Sequence, residues 1–294
     1  MIDVIVPFHR ESDIKNIKSW NLKMFKEFTF ALVHDSSRKL CTGACLELLE
    51  VDSNIALVCG RYGAPGIARN AGLKMSNNEW VMFVDGDDSP NFELIKQVHF
   101  NAIQRECNVF MGSFKESNAN GNFVNVNEIP YVDLPKYIAN KPGLWRFAFT
   151  RNILDGITFT KHRWGEDQLF LLKVLSRHDV MLHVENVCIY EYKLGDNQVT
   201  NEMDSALDLI AVLKEEYALF SGSKYRKFQE LYDLFVTRQS ITLIRALGFK
   251  SPKITIAKTF FSPFSLLRFA RKMVFAFTVL SNKVQMNRLN EAKE

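Results

Sequence analysis

The sequence predicts an α/β fold in which a sheet rich in parallel strands is flanked by helices. Short apolar runs of strand length alternate with segments of helical periodicity over the first hundred residues. This alternation is typical of right-handed β–α–β crossovers. Beyond residue 202, apolar side chains recur at helical spacing instead. We therefore expect a sheet domain over residues 1–201 and a helical region over residues 202–294.

The predicted elements follow one another in a regular order. Strands are expected at residues 2–7, 30–33, 55–58 and 80–84. Helices are expected at 11–28, 46–51 and 65–75, and Pro65 suits the first turn of the third. Further helices are expected at 91–105 and 165–177, strands at 108–113, 180–183 and 187–190, and a hairpin loop at 118–122. Two last helices begin at residues 202 and 228.

Composition and charge limit the class of protein. An apolar fraction of 47% allows a substantial core, and a charged fraction of 24% is ordinary for a folded domain. The net charge of +4 is uneven, because nine Lys or Arg stand against two Glu from Lys250 onward. The preceding residues are mildly acidic. Nucleic acid is not an expected partner, since carboxylates gather at the strand ends.

The basic tail, residues 253–294, has an apolar helical face interrupted by Arg and Lys. It lacks the run of about 20 apolar residues that a membrane-spanning helix needs. We predict an interfacial helix on anionic lipid, with a helix packed on protein or at a dimer contact as the alternative. No secretion signal is evident at the N-terminus. The expected location is therefore cytoplasmic, at the inner face of a bacterial inner membrane.

The cysteines form no Cys-x-x-Cys pair and no recognisable zinc site. They are Cys41, Cys45, Cys59, Cys107 and Cys188. We predict reduced and mostly buried thiols, as is usual in the cytoplasm.

The segment Asp85-Gly86-Asp87-Asp88 directly follows the apolar run at 80–84. Two aspartates two residues apart in a turn can present oxygen ligands to Mg²⁺ or Mn²⁺ and leave positions for phosphate oxygens. A polar turn that ends a strand is the alternative. The segment 66–70 begins a helix, where free N–H groups and Arg69 favour an anion. For Arg69, a solvated helix face is the alternative.

Two other polar segments have comparable positions. Asp35 stands at a strand end, where its carboxylate can accept an N–H group of a nucleobase, or form an ordinary turn. Glu166 and Asp167 precede an amphipathic helix, and their charge also suits the helix dipole. That dipole would keep Asp167 ionised, as a general base must be. Adjacent helical residues point about 100° apart, so only one of the two should face a reacting hydroxyl.

Together these motifs resemble the family 2 glycosyltransferases with the GT-A fold. The resemblance covers roughly residues 4–201 and rests on motifs at 4–10, 34–37, 66–73, 83–88 and 165–170, with a late one at 192–200. It implies an α/β fold with a mixed sheet flanked by helices and a C-terminal helical extension. It also implies inverting transfer from a nucleotide-diphosphate sugar, UDP-sugars being favoured, to a hydroxyl of a saccharide or lipid-linked saccharide.

The resemblance assigns a role to each motif residue. Those around the nucleotide sugar are Pro7, Phe8, Asp35, Arg69, Asp85 and Gly86. Asp87, with Asp85, would hold Mn²⁺ or Mg²⁺, and Asp167 would be the catalytic base. Glu166 and Trp164 would lie on the acceptor side, although Trp164 could equally be a core residue. Lys193 and Gln198 would belong to a flexible segment over the donor phosphates.

Some positions depart from the family pattern. His9 stands where a Tyr is usual, Arg10 where an Asn is usual, and His34 replaces a frequent Asp. Neither the metal residues nor the base is affected, so activity is expected, in bacterial surface polysaccharide or lipopolysaccharide synthesis by family habit. The alternatives are a non-catalytic nucleotide-sugar-binding protein and a phosphoryl-transfer enzyme that uses Asp-x-Asp. The latter places its acidic pair after the first strand, whereas here three strands precede the strand that the pair follows.

Overall fold

The computed structural model describes residues 1–36, 43–49, 54–118, 122–130, 133–194, 203–220 and 229–247. Its contacts divide the chain into two units. The first comprises Met1–Ile129 with Gly143–Gln198, and the second comprises Pro130–Pro142 with Val199–Glu294. No sequence pattern had indicated that the short segment 130–142 would group with the C-terminal helices.

The strands, in chain order, are β1 (Ile2–Phe8), β2 (Phe28–Asp35), β3 (Ile55–Gly60), β4 (Trp80–Phe83), β5 (Ser89–Pro90), β6 (Val109–Ser117), β7 (Phe123–Asn127), β8 (Phe147–Thr150) and β9 (Leu182–Lys193). The helices are α1 (Glu11–Ser19), α2 (Gly43–Leu46), α3 (Pro65–Met75), α4 (Phe92–Gln104), α5 (Leu134–Asn140), α6 (Glu166–Leu175), α7 (Met203–Phe220) and α8 (Gln229–Leu247). Short 3₁₀ turns occur at Leu22–Met24, Leu144–Arg146 and Arg151–Leu154.

The described strands form one mixed sheet, which confirms the predicted α/β class. β1 pairs in parallel with β2 and β4, and β2 with β3. β8 runs antiparallel to β4 and β6, whereas β9 is parallel to β6. The order is β3-β2-β1-β4-β8-β6-β9-β5, with β7 beside β6. The strand order therefore reverses between β1 and β4, and open α/β sheets bind ligands beyond the carboxyl ends at such a point.

Helices cover both faces of β1, which explains its continuous apolar sequence. On one face, Val4 belongs to a core cluster that includes Ile14 of α1 and Phe92 of α4. On the other face, Ile5 lies against α3, where a Cβ on Gly72 would be 2.3 Å from its Cγ2. Glycine at position 72 therefore lets α3 approach the sheet closely.

Three phenylalanines hold α6 against β4. Phe83 of β4 meets Phe159 and Phe170 edge-on, with ring centroids 5.0 and 5.5 Å apart. Phe159 stacks on Phe170 at 3.9 Å. This packing fixes the loop before α6, and with it the start of the helix, near the carboxyl end of β4.

The second unit is built from α5, α7 and α8. The predicted helical periodicity is confirmed on α7, where Leu213 and Phe220 are buried. Phe220 stacks on Tyr232 of α8 at 5.6 Å, and Gln239 donates to Glu216 at 2.9 Å. Among the described helices, none is long and apolar enough to cross a bilayer.

Three predicted elements differ from the structure. The helix expected at 46–51 is the short helix α2, which ends at Leu46 and is followed by turn residues. α1 ends at Ser19 instead of continuing to residue 28, because Asn21 adopts a left-handed φ of 54° and a 3₁₀ turn follows. The two strands predicted at 180–183 and 187–190 are the single strand β9, and the polar residues between them lie where its pairing with β6 shifts register. β8 was not predicted.

The prediction of reduced thiols is wrong for Cys59, which is disulfide-bonded. Cys45, Cys107 and Cys188 form no disulfide. Sequence spacing did not reveal this bond, because a disulfide depends on which sulfur atoms the fold brings within reach.

Candidate active site

The candidate site lies where the carboxyl ends of the parallel strands meet. Phe8 ends β1, Asp35 ends β2, and the acidic loop, residues 85–88, follows β4 after one residue. Because these strands run in the same direction, their carboxyl ends share one edge of the sheet. The sheet topology therefore brings the sequence motifs to the same edge of the sheet.

Arg69 joins the acidic loop to the start of α6. Its Nη2 donates to Oδ1 of Asp85 and its Nη1 to Oε1 of Glu166, both at 2.8 Å. The side chains of Arg69 and Glu166 are buried, and that of Asp85 is 30% exposed. Gly66 lets α3 come this close, since a Cβ there would lie 2.6 Å from the carbonyl oxygen of Thr160. Three separate segments of the chain thus meet at one guanidinium.

The charge balance around Arg69 is negative. Burial acts to lower the pKa of Arg69, but Asp85, Glu166 and Asp167 hold it above its ordinary value. Burial and the charge of Asp167 raise the pKa of Glu166 to about 8, against the opposing effect of Arg69. The raised pKa of Glu166 indicates that a further negative charge is disfavoured beside Asp167, so the surroundings favour additional positive charge.

The acidic loop packs tightly against β1 and α1. A Cβ on Gly86 would lie 2.9 Å from Cβ of Phe8 and 3.3 Å from the carbonyl oxygen of Pro7. Nδ2 of Asn16 donates to the carbonyl oxygens of Gly86 and Asp88, at 2.9 and 2.6 Å. Glycine at position 86 is therefore needed for space, and the loop has a fixed position relative to β1.

Asp87 is the most exposed carboxylate of the acidic loop, with 54% of its side chain accessible. Nη2 of Arg10 donates to its Oδ2 at 2.5 Å. Partial burial and the charge of Asp85 raise the pKa of Asp87, while Arg10 opposes the rise. Asp87 is thus open to solvent and already in contact with one cationic group.

Asp88 is buried, and β9 supplies its partners. The hydroxyl of Tyr190 donates to Oδ2 and the N–H of Lys193 to Oδ1, both at 2.9 Å. The same hydroxyl accepts the N–H of Asp85 at 3.1 Å. Burial and the charges of Asp85 and Asp87 raise the pKa of Asp88 well above its ordinary value. The end of β9 therefore fixes both ends of the acidic loop.

Sequence reasoning missed Asn16 and Tyr190. Oδ1 of Asn16 accepts Nζ of Lys193 at 2.7 Å, so α1, β9 and the acidic loop form one hydrogen-bonded network. An amide inside an otherwise amphipathic helix is a weak signal that could have indicated Asn16. Tyr190 carried no signal, because aromatic residues are ordinary in strands.

The acidic loop and the start of α6 both affect the pKa of Tyr192 of β9. Burial raises the pKa of its phenol, and so do the charges of the three aspartates of the acidic loop and of Asp167. The acidic loop and the start of α6 therefore lie close to the same side chain.

The start of α6 depends on Gly165, which adopts φ 82° as the residue before the helix. Asp167 is half-buried, and its Oδ1 accepts the N–H of Gln168 at 2.8 Å. Trp164 is 8% exposed. The predicted roles of Asp167 as base and of Trp164 and Glu166 on the acceptor side stay predictions.

Asp35 has a separate environment. Its two oxygens accept the N–H groups of Tyr62 and Gly63, each at 2.8 Å, so it holds the loop that follows β3. His34 stacks on Phe8 with ring centroids 4.9 Å apart. The described hydrogen bonds of Asp35 thus tie it to that loop, and they do not join it to Arg69. Gln198 and the basic tail lie outside the described residues.

A divalent cation fits the acidic loop by its donor chemistry. Asp85 and Asp87 offer carboxylate oxygens, and Arg10 already places positive charge on Asp87. The described residues contain no group of three or more His, Cys, Asp or Glu arranged around a metal position. Mg²⁺ commonly takes one or two carboxylates and completes its shell with phosphate oxygens and water. These residues therefore suit an ion that a diphosphate would help to bind.

Comparisons with known proteins find similarity to glycosyltransferases. A family model described as glycosyl transferase family 2 matches residues 3–163. The chain is 21% identical over 212 residues to glycosyltransferase GlyA of Streptococcus pneumoniae, a match that covers 66% of this chain and 30% of that protein. It is 25% identical over 201 residues to the poly(ribitol-phosphate) beta-N-acetylglucosaminyltransferase TarS of Staphylococcus aureus, covering 64% of this chain and 34% of that protein. The chain thus matches about a third of the length of either relative.

Solved structures of S. aureus TarS share the fold. The crystal structure of TarS 1–349 in complex with UDP-GlcNAc superposes with a TM-score of 0.63 at 19% identity, covering 97% of this chain and 91% of that one. A longer TarS structure gives the same TM-score at 20% identity, covering 95% of this chain and 53% of that one. At this identity the likeness concerns the fold alone.

Proposed function

The chain belongs to glycosyl transferase family 2, and we propose that it transfers a sugar from a nucleotide-diphosphate donor to an acceptor hydroxyl, with inversion at the anomeric carbon. Membership of this family supports glycosyltransferase activity and argues against the phosphoryl-transfer alternative. The donor, the stereochemistry and the acceptor are the proposed part.

The observation that carries the proposal is the pair of hydrogen bonds from Arg69 to Asp85 and Glu166. These bonds bring the acidic loop next to the residue that precedes Asp167. An inverting transfer needs these groups close together, because the acceptor hydroxyl forms its bond to the anomeric carbon on the face opposite the bond to the diphosphate that breaks. Holding the two reactants in line supplies much of the rate.

Asp167 is the proposed catalytic base. Its neighbour Glu166 is buried and bonded to Arg69, which leaves Asp167 as the half-exposed carboxylate at the start of α6. The N-terminus of the helix stabilises the ionised carboxylate there. Asp167 would take the proton from the acceptor hydroxyl as that oxygen attacks. Glu166 would act as a positioning residue that holds Arg69.

The acidic loop is proposed to hold Mn²⁺ or Mg²⁺, with Asp87 as the direct ligand and Asp85 beside it. When bound, such an ion offsets charge on the leaving diphosphate. The chain's own contribution is to keep the loop in place through Asn16 and Tyr190, and to present Arg69 as a fixed cation. Pro7, Phe8 and Gly86 would border the nucleotide sugar on the β1 side.

We propose a UDP-sugar as the donor, with a hexose or an N-acetylhexosamine. The support is the shared fold with TarS, whose structures were solved with UDP-GlcNAc and with UDP. A saccharide or lipid-linked saccharide is the proposed acceptor, in the synthesis of a bacterial surface polymer. The name of TarS, which acts on poly(ribitol-phosphate), supports that setting.

Nucleotide binding and release test the proposal. In a thermal-shift titration with Mn²⁺ present, UDP should raise the Tm and GDP should not. A panel of nucleotide sugars with Mn²⁺ or Mg²⁺ should then show release of UDP from one donor above the rate without enzyme. Binding of UDP without release from any donor would instead identify a non-catalytic nucleotide-sugar-binding protein.

We also propose that the protein is cytoplasmic and associates with the membrane surface through the basic tail. The support is the charge and apolar face of residues 253–294. The full chain should sediment with vesicles that contain anionic lipid, and a folded variant that lacks these residues should stay in the supernatant. Equal partition of the two proteins would contradict the association.

A further inference from the structure

Arg10 connects the end of β1 to the acidic loop in a way that the proposed reaction does not use. Its backbone is fixed, because it is the residue before α1 and its N–H donates to Oδ2 of Asp13 at 3.0 Å. Its side chain then reaches across to Asp87, which is 77 positions away in the sequence.

The guanidinium of Arg10 donates hydrogen bonds to two carboxylates that differ in solvent exposure. Nε donates to Oδ1 of Asp13 at 3.0 Å, and Nη2 donates to Oδ2 of Asp87 at 2.5 Å. The side chain of Asp13 is 3% exposed, whereas that of Asp87 is 54% exposed. Asp13 is therefore the permanent partner, and the bond to Asp87 is the one that solvent or a ligand can replace.

The geometry points to competition: we propose that Arg10 occupies the cation position at Asp87 and that a divalent ion must displace it. This inference rests on the proposed function, in which Asp87 binds that ion. The oxygen that accepts Arg10 is one of the two that Asp87 can offer to the ion, and two cations close to one carboxylate repel each other. The free protein thus keeps Asp87 neutralised until an ion and a diphosphate arrive together.

The displaced guanidinium has a second use. Its bond to Asp13 would hold it at the end of β1, beside the acidic loop, with Nη2 free to donate. A diphosphate bound to the ion at Asp87 would then meet Arg10 as well as Arg69, and guanidinium groups bind phosphate oxygens well. Arg10 should therefore oppose binding of the ion alone and favour binding of the nucleotide with the ion.

Mn²⁺ binding to the purified protein, followed by electron paramagnetic resonance of the free ion, tests the competition without any turnover. Arg10→Ala should bind Mn²⁺ about 3- to 10-fold more tightly than the wild type, the size expected for loss of a partly exposed ion pair and of one nearby charge. Arg10→Lys should fall between them. Lys15→Ala is the matched control, since it removes a positive charge from the exposed face of α1 without contact to Asp87. It should stay within about twofold of the wild type.

Asp87→Asn, alone and combined with Arg10→Ala, separates this inference from the proposed function. The gain from Arg10→Ala should disappear in the double variant. With Mn²⁺ saturating, Arg10→Ala should bind UDP about fivefold more weakly, as loss of one phosphate contact predicts.

Two results overturn the inference in different ways. If Mn²⁺ binding depends on Asp87 but Arg10→Ala matches Lys15→Ala, the competition is wrong and the proposed metal position stands. If Asp87→Asn binds Mn²⁺ as the wild type does, with and without UDP, the metal position itself is wrong and the role of Arg10 falls with it. A thermal melt of each variant confirms that the binding data refer to folded protein.

Discussion

Buried carboxylates are paired differently at the two ends of the parallel strands. At the amino end, the buried carboxylate of Asp3 accepts from Nδ2 and the N–H of Asn78, at 2.8 and 2.6 Å, from Nη2 of Arg151 at 3.1 Å, and from the hydroxyl of Thr29. One carboxylate there meets one guanidinium and enough donors for both of its oxygens. At the carboxyl end, the guanidinium of Arg69 faces three carboxyl groups, those of Asp85, Glu166 and Asp167.

The difference separates a structural cluster from a binding site. A buried carboxylate with all its partners stabilises the fold, and removing it leaves other buried groups unpaired. Carboxylates that outnumber their cations raise each other's pKa and favour an incoming positive charge. The amino end therefore joins β1 and β2 to the segments that precede β4 and follow β8, while the carboxyl end keeps an excess of negative charge for a ligand.

The largest effect should come from Asp167→Asn, which tests the carboxyl end directly. Loss of a general base typically lowers the rate by about 10²- to 10⁴-fold. UDP release with the best donor and acceptor should fall by that factor, while the affinity for UDP with Mn²⁺ and the Tm stay close to the wild type. Asp155→Asn, at an exposed position, is the matched control. Full turnover by Asp167→Asn would remove the proposed mechanism.

Asp3→Ala tests the amino end. It removes one acceptor of Arg151 and the acceptor of the N–H of Asn78, so the free energy of unfolding should fall by about 2–4 kcal/mol. Asp87→Ala removes a half-exposed carboxylate and should change it by less than about 1 kcal/mol. Urea unfolding of the two variants measures both changes in the free energy of unfolding.

Transferase activity should be affected in the reverse order, with a larger loss in Asp87→Ala than in Asp3→Ala. Below its melting temperature, Asp3→Ala should keep most of its activity per folded molecule, and Asp87→Ala should lose most of it. Equal losses of stability in both variants would contradict the contrast between the two ends.

Tyr190→Phe should have an intermediate effect, because its hydroxyl links Asp88 to the N–H of Asp85. Without that hydroxyl, a buried carboxylate loses a donor, at a cost of about 1–2 kcal/mol in unfolding free energy. The acidic loop should also be held less firmly, so kcat/KM should fall about tenfold, mainly through kcat. A loss of stability with unchanged kinetics would make Tyr190 purely structural.

The pH dependence of stability should have opposite signs for Glu166, at the carboxyl end of the strands, and for His99 of α4. The pKa of Glu166 is raised to about 8, so the folded protein binds a proton that the unfolded chain releases above pH 4.5. Its contribution is present at low pH and is lost as the pH rises through 8. Glu166→Gln should flatten this slope in urea midpoints measured between pH 5 and 8.5.

His99 of α4 should give the smallest effect and the opposite sign. Burial lowers the pKa of His99 to about 4, and its Nε2 has no partner among the described residues. Its contribution is present above pH 6.5 and is lost as the pH falls through 4. His99→Phe, which keeps a ring against Trp80, should reduce acid sensitivity between pH 6.5 and 4. An unchanged acid profile would contradict this assignment.

Much of the fold could be predicted, because local pattern and hydrophobic periodicity act over a few residues. α3 has the predicted bounds, and the strands β1 to β4 differ from prediction by one or two residues at their ends. The failures have local causes that the pattern did not reveal. The left-handed Asn21 ended α1, and an irregularity in pairing kept β9 continuous.

The site was predicted unevenly. The acidic loop, Arg69 and the start of α6 were indicated by sequence motifs, and the structure joins them through Arg69. Asn16 and Tyr190 were missed, because an amide on a helix and an aromatic residue in a strand become significant only when a distant loop lies beside them.

The sequence by itself determined the α/β class, the order of the strands along the chain and the residue types at the strand ends. Only the tertiary structure decided that Arg10 would reach Asp87, and that Tyr190 would bond to residues about a hundred positions before it. Hydrophobic periodicity is a local property of the chain and can be read from it. Contacts between distant residues depend instead on strand register and on how closely the helices pack, which neighbouring residues in the sequence do not specify.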